Sequence, residues 1–135
     1  MLKTDSQTEN LPEILILEDD LIIAKLQEYL VEKVCRRSPL IFKNGKEAID
    51  YLDTRTERER DILVLLDINM PIMNGWEFME ACEKRAYKFQ IHVVIVTSSL
   101  FKEDCEKAKQ FDGIIGYYTK PLKKEDMQEI MKLKK

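Results

Sequence analysis

The sequence is poor in the residues that mark several protein classes. It holds three Cys, four Gly, four Pro and one His among 135 residues. The cysteines, Cys35, Cys82 and Cys105, form no Cys-x-x-Cys pair, which argues against a zinc site or a disulfide framework. The low glycine and proline counts exclude a collagen-like chain and a flexible linker.

An excess of charge of one sign and long apolar runs are missing too. The 22 basic and 25 acidic side chains give a formal net charge of -3. Nucleic-acid binding driven by bulk charge needs a basic excess, so we expect no direct nucleic-acid partner. A membrane-spanning helix needs about 20 apolar residues, and every apolar run in this sequence is far shorter. Residues 1–10 are polar and lack the apolar stretch of a secretory signal. We therefore expect a cytoplasmic protein that makes no membrane contact.

Five short apolar segments, rich in β-branched residues, are spaced along the chain. Hydrophobic residues make up 44% of the sequence, which is enough for the core of one domain. The segments are Glu13–Leu17, Leu40–Phe42, Ile62–Leu66, Ile91–Val96 and Ile114–Tyr118. Because they lack polar alternation, they predict strands that are buried on both faces, as in a parallel sheet.

Stretches of helical periodicity lie between these segments. After the first, Ile23, Leu26, Leu30 and Val34 recur at steps of three or four, which predicts the buried face of a helix. The charged run Asp53–Arg60 predicts a solvated helix end and loop. The alternation of strands and helices predicts an α/β protein with a doubly wound parallel sheet.

Polar side chains follow four of the predicted strands, at the edge where ligands bind in such sheets. Glu18 and Asp19 follow the first strand, Asp67 the third, Thr97 the fourth and Lys120 the fifth. Clustered carboxylates need a cation, and Mg²⁺ prefers carboxylate, water and phosphate oxygens. A carboxylate also serves as a nucleophile that forms an aspartyl phosphate. Position alone leaves both a Mg²⁺ and phosphate site and ordinary helix caps open.

Four motifs around these residues resemble the receiver domain of bacterial two-component response regulators, the family of the chemotaxis protein CheY. The motifs are ILILEDD at 14–20, LLDINMPIMNGWEF at 65–78, VIVTSS at 94–99 and YYTKP at 117–121. The second is highly specific, and the resemblance covers about residues 12–133. It implies a flavodoxin-like fold of five parallel strands in the order 2-1-3-4-5 with five helices.

The resemblance also implies how the acidic residues act. Asp67 would be the phosphoacceptor. Mg²⁺ would bind Asp67 and Asp19 directly, Glu18 mainly through water, and the backbone carbonyl of Asn69.

Further roles implied by the resemblance concern the phosphoryl group and its signal. Thr97 would bond one phosphoryl oxygen and Lys120 would pair with another. Tyr117 lies at the family's switch aromatic, so Thr97 and Tyr117 would form the switch. Pro121 would follow a cis peptide bond.

The function implied by the resemblance is a phosphorylation-dependent signalling switch, not an enzyme acting on an external substrate. The phosphoryl group would come from a histidine kinase or a histidine phosphotransfer protein. The chain would catalyse its own phosphorylation and dephosphorylation, and would signal by contact with an unknown target protein. We expect a flexible tail at residues 1–11, a receiver domain at 12–135 and no output domain. A monomer or a weak homodimer through the fourth helix, fifth strand and fifth helix is expected.

Two other functions stay open. A Mg²⁺-dependent phosphohydrolase with an Asp nucleophile commonly has a second Asp two residues further on, where this chain has Asn69. A pseudo-receiver, an interaction domain that takes no phosphate, usually lacks one of the acidic, Thr or Lys positions, and all are present here. His92 opens a predicted buried strand, which favours a structural role for it over phosphotransfer.

Overall fold

A computed structural model of the chain describes residues 11–56, 60–98 and 101–133. Its elements are β1 (Glu13–Leu17), α1 (Leu21–Cys35), β2 (Leu40–Phe42), α2 (Gly45–Leu52), β3 (Ile62–Leu66), α3 (Gly75–Arg85), β4 (Ile91–Thr97), α4 (Lys102–Ala108), β5 (Ile114–Thr119) and α5 (Lys124–Lys132). The strands form one parallel sheet in the order β2-β1-β3-β4-β5, which confirms the predicted fold. The predicted tail lies outside the described residues except for Leu11.

Burial of the strands follows their position in the sheet. All five residues of the central β3 are buried, and β1 and β4 are buried except at their first residue. The prediction that all five strands are buried on both faces is wrong for β2 and β5, none of whose residues is buried. These two strands form the edges of the sheet, so helices cover them less completely.

Two separate hydrophobic cores hold the helices to the sheet. One core packs α2, α3 and α4 on one face, with Leu52, Phe78 and Ala108 among its buried residues. The other packs α1 and α5 on the opposite face, through Val31 and Met127. Because the strands pair in parallel, the carboxyl ends of β1, β3, β4 and β5 lie along one edge of the sheet.

The predicted buried face of α1 is wrong by one position. The buried residues of this helix are Ala24, Gln27 and Val31, whereas the Leu26 side chain is exposed. The small Ala24 is buried against the sheet, whereas Leu30 and Val34 are partly buried and pack at the border of the core. Among the described residues, no helix has the length and apolar character needed to cross a membrane.

The charged run Asp53–Arg60 is not wholly solvated, contrary to prediction. The Arg55 side chain is only 2% exposed, and its Nε lies 3.2 Å from Oε1 of Glu13. Its guanidinium carbon lies 4.5 Å from the centre of the Phe89 ring. An arginine in this run therefore joins β1 to the segment before β4; residues 57–59 lie outside the described part.

Candidate functional site

The carboxyl ends of β1 and β3 bring three carboxylates together. Leu17 pairs with Leu66 at the ends of these strands, so the residues that follow are neighbours. Ligand oxygens of Glu18, Asp19 and Asp67 all lie within 4.8 Å of one another. Glu18 is 2% exposed and Asp67 6%, whereas Asp19 is exposed to solvent. The structure thus brings together the acidic residues that the sequence placed at this edge.

The position of Asp67 depends on close backbone packing. Its N–H donates to the carbonyl of Leu17, with N and O 3.0 Å apart, which extends the pairing of the strands by one residue. The N–H of Gly75, at the start of α3, donates to the carbonyl of Ile68 at 2.8 Å. A Cβ at Gly75 would lie 2.9 Å from the carbonyl oxygen of Asp67, so only glycine permits this approach.

Glu18 is oriented by the turn into α1. The N–H of Asp20 donates to Oε2 of Glu18 at 3.1 Å. The Asp20 side chain accepts hydrogen bonds from the N–H groups of Ile22 and Ile23, which makes it the N-cap of α1. Of the three consecutive acidic residues, Asp20 therefore stabilises the helix, and Glu18 and Asp19 belong to the cluster.

Lys120, the residue directly after β5, supplies positive charge to the cluster. Its Nζ lies 2.6 Å from Oε1 of Glu18 and 3.3 Å from Oδ2 of Asp67. Its backbone N–H donates to the carbonyl of Thr97 at 2.7 Å, which holds the end of β5 against β4. The Lys120–Pro121 peptide bond is cis. The tight contact with Glu18 is a feature that sequence reasoning did not anticipate, since residues 102 positions apart carry no local signal of pairing.

The carboxylates are held in an electrostatically unfavourable state. Burial raises the pKa of Asp67 above its usual value, although Lys120 opposes the shift. Burial also raises the pKa of Glu18, against the hydrogen bond from Lys120. Burial lowers the pKa of Lys120, but its hydrogen bond to Glu18 and the charge of Asp67 outweigh that effect and raise it. Two buried carboxylates therefore share one ammonium, and a second cation would be stabilised beside them.

The donor set fits a hard divalent cation. Oxygen ligands from carboxylates suit Mg²⁺, which keeps several water molecules and binds one or two carboxylates directly. The exposed Asp19 leaves the cluster open to solvent, so water ligands have room. The N–H of Asn69 lies 3.4 Å from Oδ1 of Asp67, which places the Asn69 backbone beside the cluster.

The two predicted switch residues occupy different environments. Thr97 is 2% exposed at the end of β4, next to the strand that carries Lys120. Tyr117 pairs with Ile95 in the sheet, and 39% of its surface is exposed. The structure thus places Thr97 at the carboxyl edge with the acidic cluster and Tyr117 on β5, three residues before Lys120.

An apolar cavity of about 460 Å³ lies beside Lys120. Its walls combine α1 with the chain around the cis peptide bond: Ile23, Leu26, Gln27, Tyr29, Leu30, Ser98, Lys120, Pro121 and Leu122. Three of the four residues predicted to form the buried face of α1 line this cavity. The sequence revealed their apolar periodicity but not that it faces a surface depression.

Comparison with known proteins agrees with this geometry. The family of response regulator receiver domains matches residues 14–132. The chain is 30% identical over 125 residues to the transcriptional regulatory protein CitT of Halalkalibacterium halodurans, covering 86% of this chain and 49% of that protein. It spans half or less of the length of the first curated relatives that it matches.

Solved structures show the same architecture. A response regulator receiver protein from Dyadobacter fermentans is 28% identical with a TM-score of 0.78, covering 90% of this chain and 96% of that one. A two-component response regulator from Legionella pneumophila is 29% identical with a TM-score of 0.75, covering 89% and 95%. With its acidic cluster at the carboxyl ends of β1 and β3, the chain belongs to the response regulator receiver domain family of two-component signalling systems.

Proposed function

We propose that residues 12–135 form a receiver domain that acts as a phosphorylation-dependent switch, with Asp67 as the phosphoacceptor. The observation that carries this proposal is the acidic cluster, in which oxygens of Glu18, Asp19 and Asp67 lie within 4.8 Å of one another and the Lys120 ammonium contacts both Glu18 and Asp67. Asp67 is 6% exposed within this cluster.

Receiver domains of this family bind Mg²⁺ at an acidic pocket, and this chain has one. Here the ion would be held by Asp19 and Asp67, by Glu18 through water, and by the backbone carbonyl of Asn69. Bound there, Mg²⁺ would supply positive charge that offsets the negative charge of phosphoryl oxygens near the carboxylates. Its positive charge would also favour the ionised form of Asp67, whose pKa is raised mainly by burial.

Residues of this chain would then perform the transfer of the phosphoryl group to Asp67. One carboxylate oxygen of Asp67 forms a bond to phosphorus while the bond from phosphorus to the donor's leaving atom breaks. Lys120 is poised to follow the charge, since its Nζ already lies 3.3 Å from Oδ2 of Asp67. The Thr97 hydroxyl would donate to another phosphoryl oxygen. Hydrolysis would take place at the same site. Water would attack phosphorus, and Asp67 would leave as a carboxylate.

The donor would be a phosphohistidine on a histidine kinase or a histidine phosphotransfer protein. Because Asp67 is only 6% exposed, such a donor must contact the surface around it to bring phosphorus within bonding distance. The exposed apolar side chains of α1, with Leu21 and Ile22 64% and 73% exposed, lie next to the acidic cluster in sequence and offer that contact.

Output would pass from Asp67 to the face formed by α4, β5 and α5. A phosphoryl group that draws the Thr97 hydroxyl toward it shifts the chain after β4 and gives the Tyr117 ring room to move inward. One charge-assisted hydrogen bond is worth about 1.5–3 kcal/mol, a tenfold to hundredfold bias between two states. A target protein, or a second copy in a weak homodimer, would bind that face.

Intact-mass measurement after incubation with acetyl phosphate and Mg²⁺ tests this function. The expected result is the addition of one phosphoryl group, about 80 Da, which does not form when EDTA is present from the start. Phosphate release without a labelled protein would point instead to a phosphohydrolase. Neither labelling nor release would identify a pseudo-receiver and contradict the proposal.

A further inference from the structure

We propose that the cleft between α1 and α5 binds an extended acidic peptide segment of a partner protein. This basic cleft has a volume of about 910 Å³ and lies between the helices that pack on one face of the sheet. It is lined by Leu11, Lys33, Val34, Cys35, Arg36, Lys124, Gln128, Met131 and Lys132. Its ligand would differ from the phosphoryl group and the metal of the acidic cluster, so the inference does not rest on the proposed function.

Four cations and no carboxylate line this cleft within the described residues. The chain as a whole has a formal net charge of -3, so the cleft runs against the overall charge. In the described part of the chain, none of the four lies within 4.0 Å of an acidic group, and only Lys33 has a ring partner, Tyr29 at 5.8 Å. Their positive charge is therefore available to an outside anion.

Most acidic side chains of the two helices are engaged elsewhere. Glu28 bonds to Lys25, and Glu32 accepts from the Ser38 hydroxyl. On α5, Glu129 accepts from the Tyr118 hydroxyl at 2.5 Å, and the Asp126 carboxylate accepts from the N–H of Lys123 at 3.0 Å. Only Glu125 on these helices has no such bond among the described residues, and it does not line the cleft.

Helix stability does not account for all four cations. Cations near a helix C-terminus are favourable, which suits Lys33 on α1 and Lys132 on α5. Lys124, however, is the first residue of α5, where the helix dipole disfavours a cation. Arg36 occupies the left-handed C-cap of α1 at φ 59°, a conformation that glycine adopts at lower cost. Two of the four cations therefore stand where the local backbone prefers another residue.

The shape and lining of the basic cleft favour a peptide. Lys124 and Lys132 are separated by about 12 Å along α5, at 1.5 Å per residue, which matches about four residues of extended chain. Charges spread over that length suit several separated carboxylates, and Leu11, Val34 and Met131 offer an apolar floor for side chains between them. No aromatic ring lines the cleft among the described residues, so bases would find no stacking platform. A second copy of this chain would bring the same positive charge and is disfavoured.

A fluorescence-anisotropy titration of the full chain tests the inference. The probe is a labelled ten-residue peptide of alternating glutamate and leucine, and a matched peptide with glutamine for glutamate is the control. We expect the acidic peptide to bind and the neutral one to bind at least about tenfold more weakly, with affinity falling as salt rises from low to physiological strength.

Charge variants locate the binding. Lys124→Glu should weaken binding about three- to tenfold, because it replaces an attraction by a repulsion. Arg36→Gly should weaken it about two- to threefold while leaving the melting temperature unchanged or higher, since glycine suits the left-handed position. Lys84→Glu, the matched charge reversal on α3 at the opposite face of the sheet, should change the affinity less than twofold. Phosphorylation of Asp67 should be unchanged in all three, which separates this result from the proposed function.

Several outcomes would overturn the inference. Absence of binding by the acidic peptide, equal binding of the neutral peptide, or equal weakening by Lys84→Glu would each remove the specific peptide site. Tighter binding of a single-stranded oligonucleotide, or of vesicles containing phosphatidylserine, than of the acidic peptide at the same salt would assign the basic cleft to a different class of ligand.

Discussion

Charged groups at the two edges of the sheet are arranged in opposite ways. At the carboxyl edge, Glu18, Asp19 and Asp67 lie together, Lys120 contacts two of them, and burial raises the pKa of Asp67. At the amino edge, Asp53 has both a cation and a phenol: Arg85 Nε lies 2.9 Å and the Tyr87 hydroxyl 2.6 Å from its Oδ1.

The number of partners per carboxylate distinguishes the proposed functional site at the carboxyl edge from the structural contacts at the amino edge. Hydrogen bonds from Tyr87 and Arg85 hold the pKa of Asp53 below its usual value, so this carboxylate is already satisfied. The Glu13 carboxylate also has two partners, the Tyr51 hydroxyl at 2.6 Å and the Arg55 Nε at 3.2 Å. The carboxyl edge keeps a shortage of positive charge, which fits the metal ion and the phosphoryl group that we propose to bind there.

Removing one cation from each edge should give the largest difference. Lys120→Met leaves two buried carboxylates without their ammonium and should lower the free energy of unfolding by about 3–5 kcal/mol. The matched Arg85→Met breaks an exposed pair, with both side chains about 40% exposed, and should cost about 0–1 kcal/mol. Chemical denaturation at pH 7 without divalent ions measures both losses.

Added Mg²⁺ sharpens this prediction. It should restore part of the stability of Lys120→Met, because the ion replaces the missing positive charge, and should leave Arg85→Met unchanged. Equal losses of unfolding free energy in the two variants, or no stabilisation of Lys120→Met by Mg²⁺, would show that the carboxyl edge has no greater shortage of positive charge than the amino edge.

A single carboxylate at the carboxyl edge should control metal affinity. Asp19→Asn removes one negative charge from the cluster and should weaken Mg²⁺ binding by about tenfold or more. Asp20→Asn is the matched control, since asparagine is an equally good N-cap and Asp20 lies outside the cluster. Calorimetric titration gives both affinities; unchanged affinity in Asp19→Asn would place the ligand elsewhere.

The coupling from Asp67 to β5 should depend on one hydroxyl. Beryllofluoride with Mg²⁺, as a phosphoryl mimic, should shift the backbone amide signals of residues near Asp67 and of β5 around Tyr117. In Thr97→Ala the signals near Asp67 should still shift, whereas the shifts around Tyr117 should fall severalfold, because about 1.5–3 kcal/mol of bias is lost. Thr97→Ser, which keeps the hydroxyl, should retain them. Intact distant shifts in Thr97→Ala would contradict the coupling.

The smallest effect should occur at the amino edge. Tyr87→Phe removes a hydrogen bond to Asp53, so the pKa of Asp53 should rise toward its usual value. Because the folded-state pKa is lowered, the stabilisation by Asp53 is present above its unfolded pKa and is lost as pH falls; that loss should be smaller in the variant. An NMR pH titration of the carboxyl carbon measures the shift, and an unchanged pKa would show that the phenol does not act on Asp53.

The sequence was most informative where local pattern determines structure. The apolar runs gave the strands to within one residue, because β3 and its neighbours are buried on both faces. The residues that follow Leu17 and Leu66 were correctly placed together, since parallel pairing brings strand ends to one edge.

Long-range pairing and helix rotation could not be predicted. The periodicity of α1 pointed to Leu26 as buried, but the sheet accepts the small Ala24 and buries Gln27. The contacts of Asp53 with Tyr87 and of Arg55 with Glu13 join residues more than 30 positions apart, and only the tertiary structure brings them together.

We expect the phosphoryl group to be bound at the carboxyl edge, on Asp67, and not at the amino edge. Peptide mapping by mass spectrometry after phosphorylation of the wild type, Asp67→Asn and Asp53→Asn tests it most directly. The predicted result is one phosphoryl group on the peptide containing Asp67 in the wild type and in Asp53→Asn, and none in Asp67→Asn. Labelling of Asp67→Asn at the wild-type level, or a phosphoryl group on another residue in the wild type, would contradict the claim.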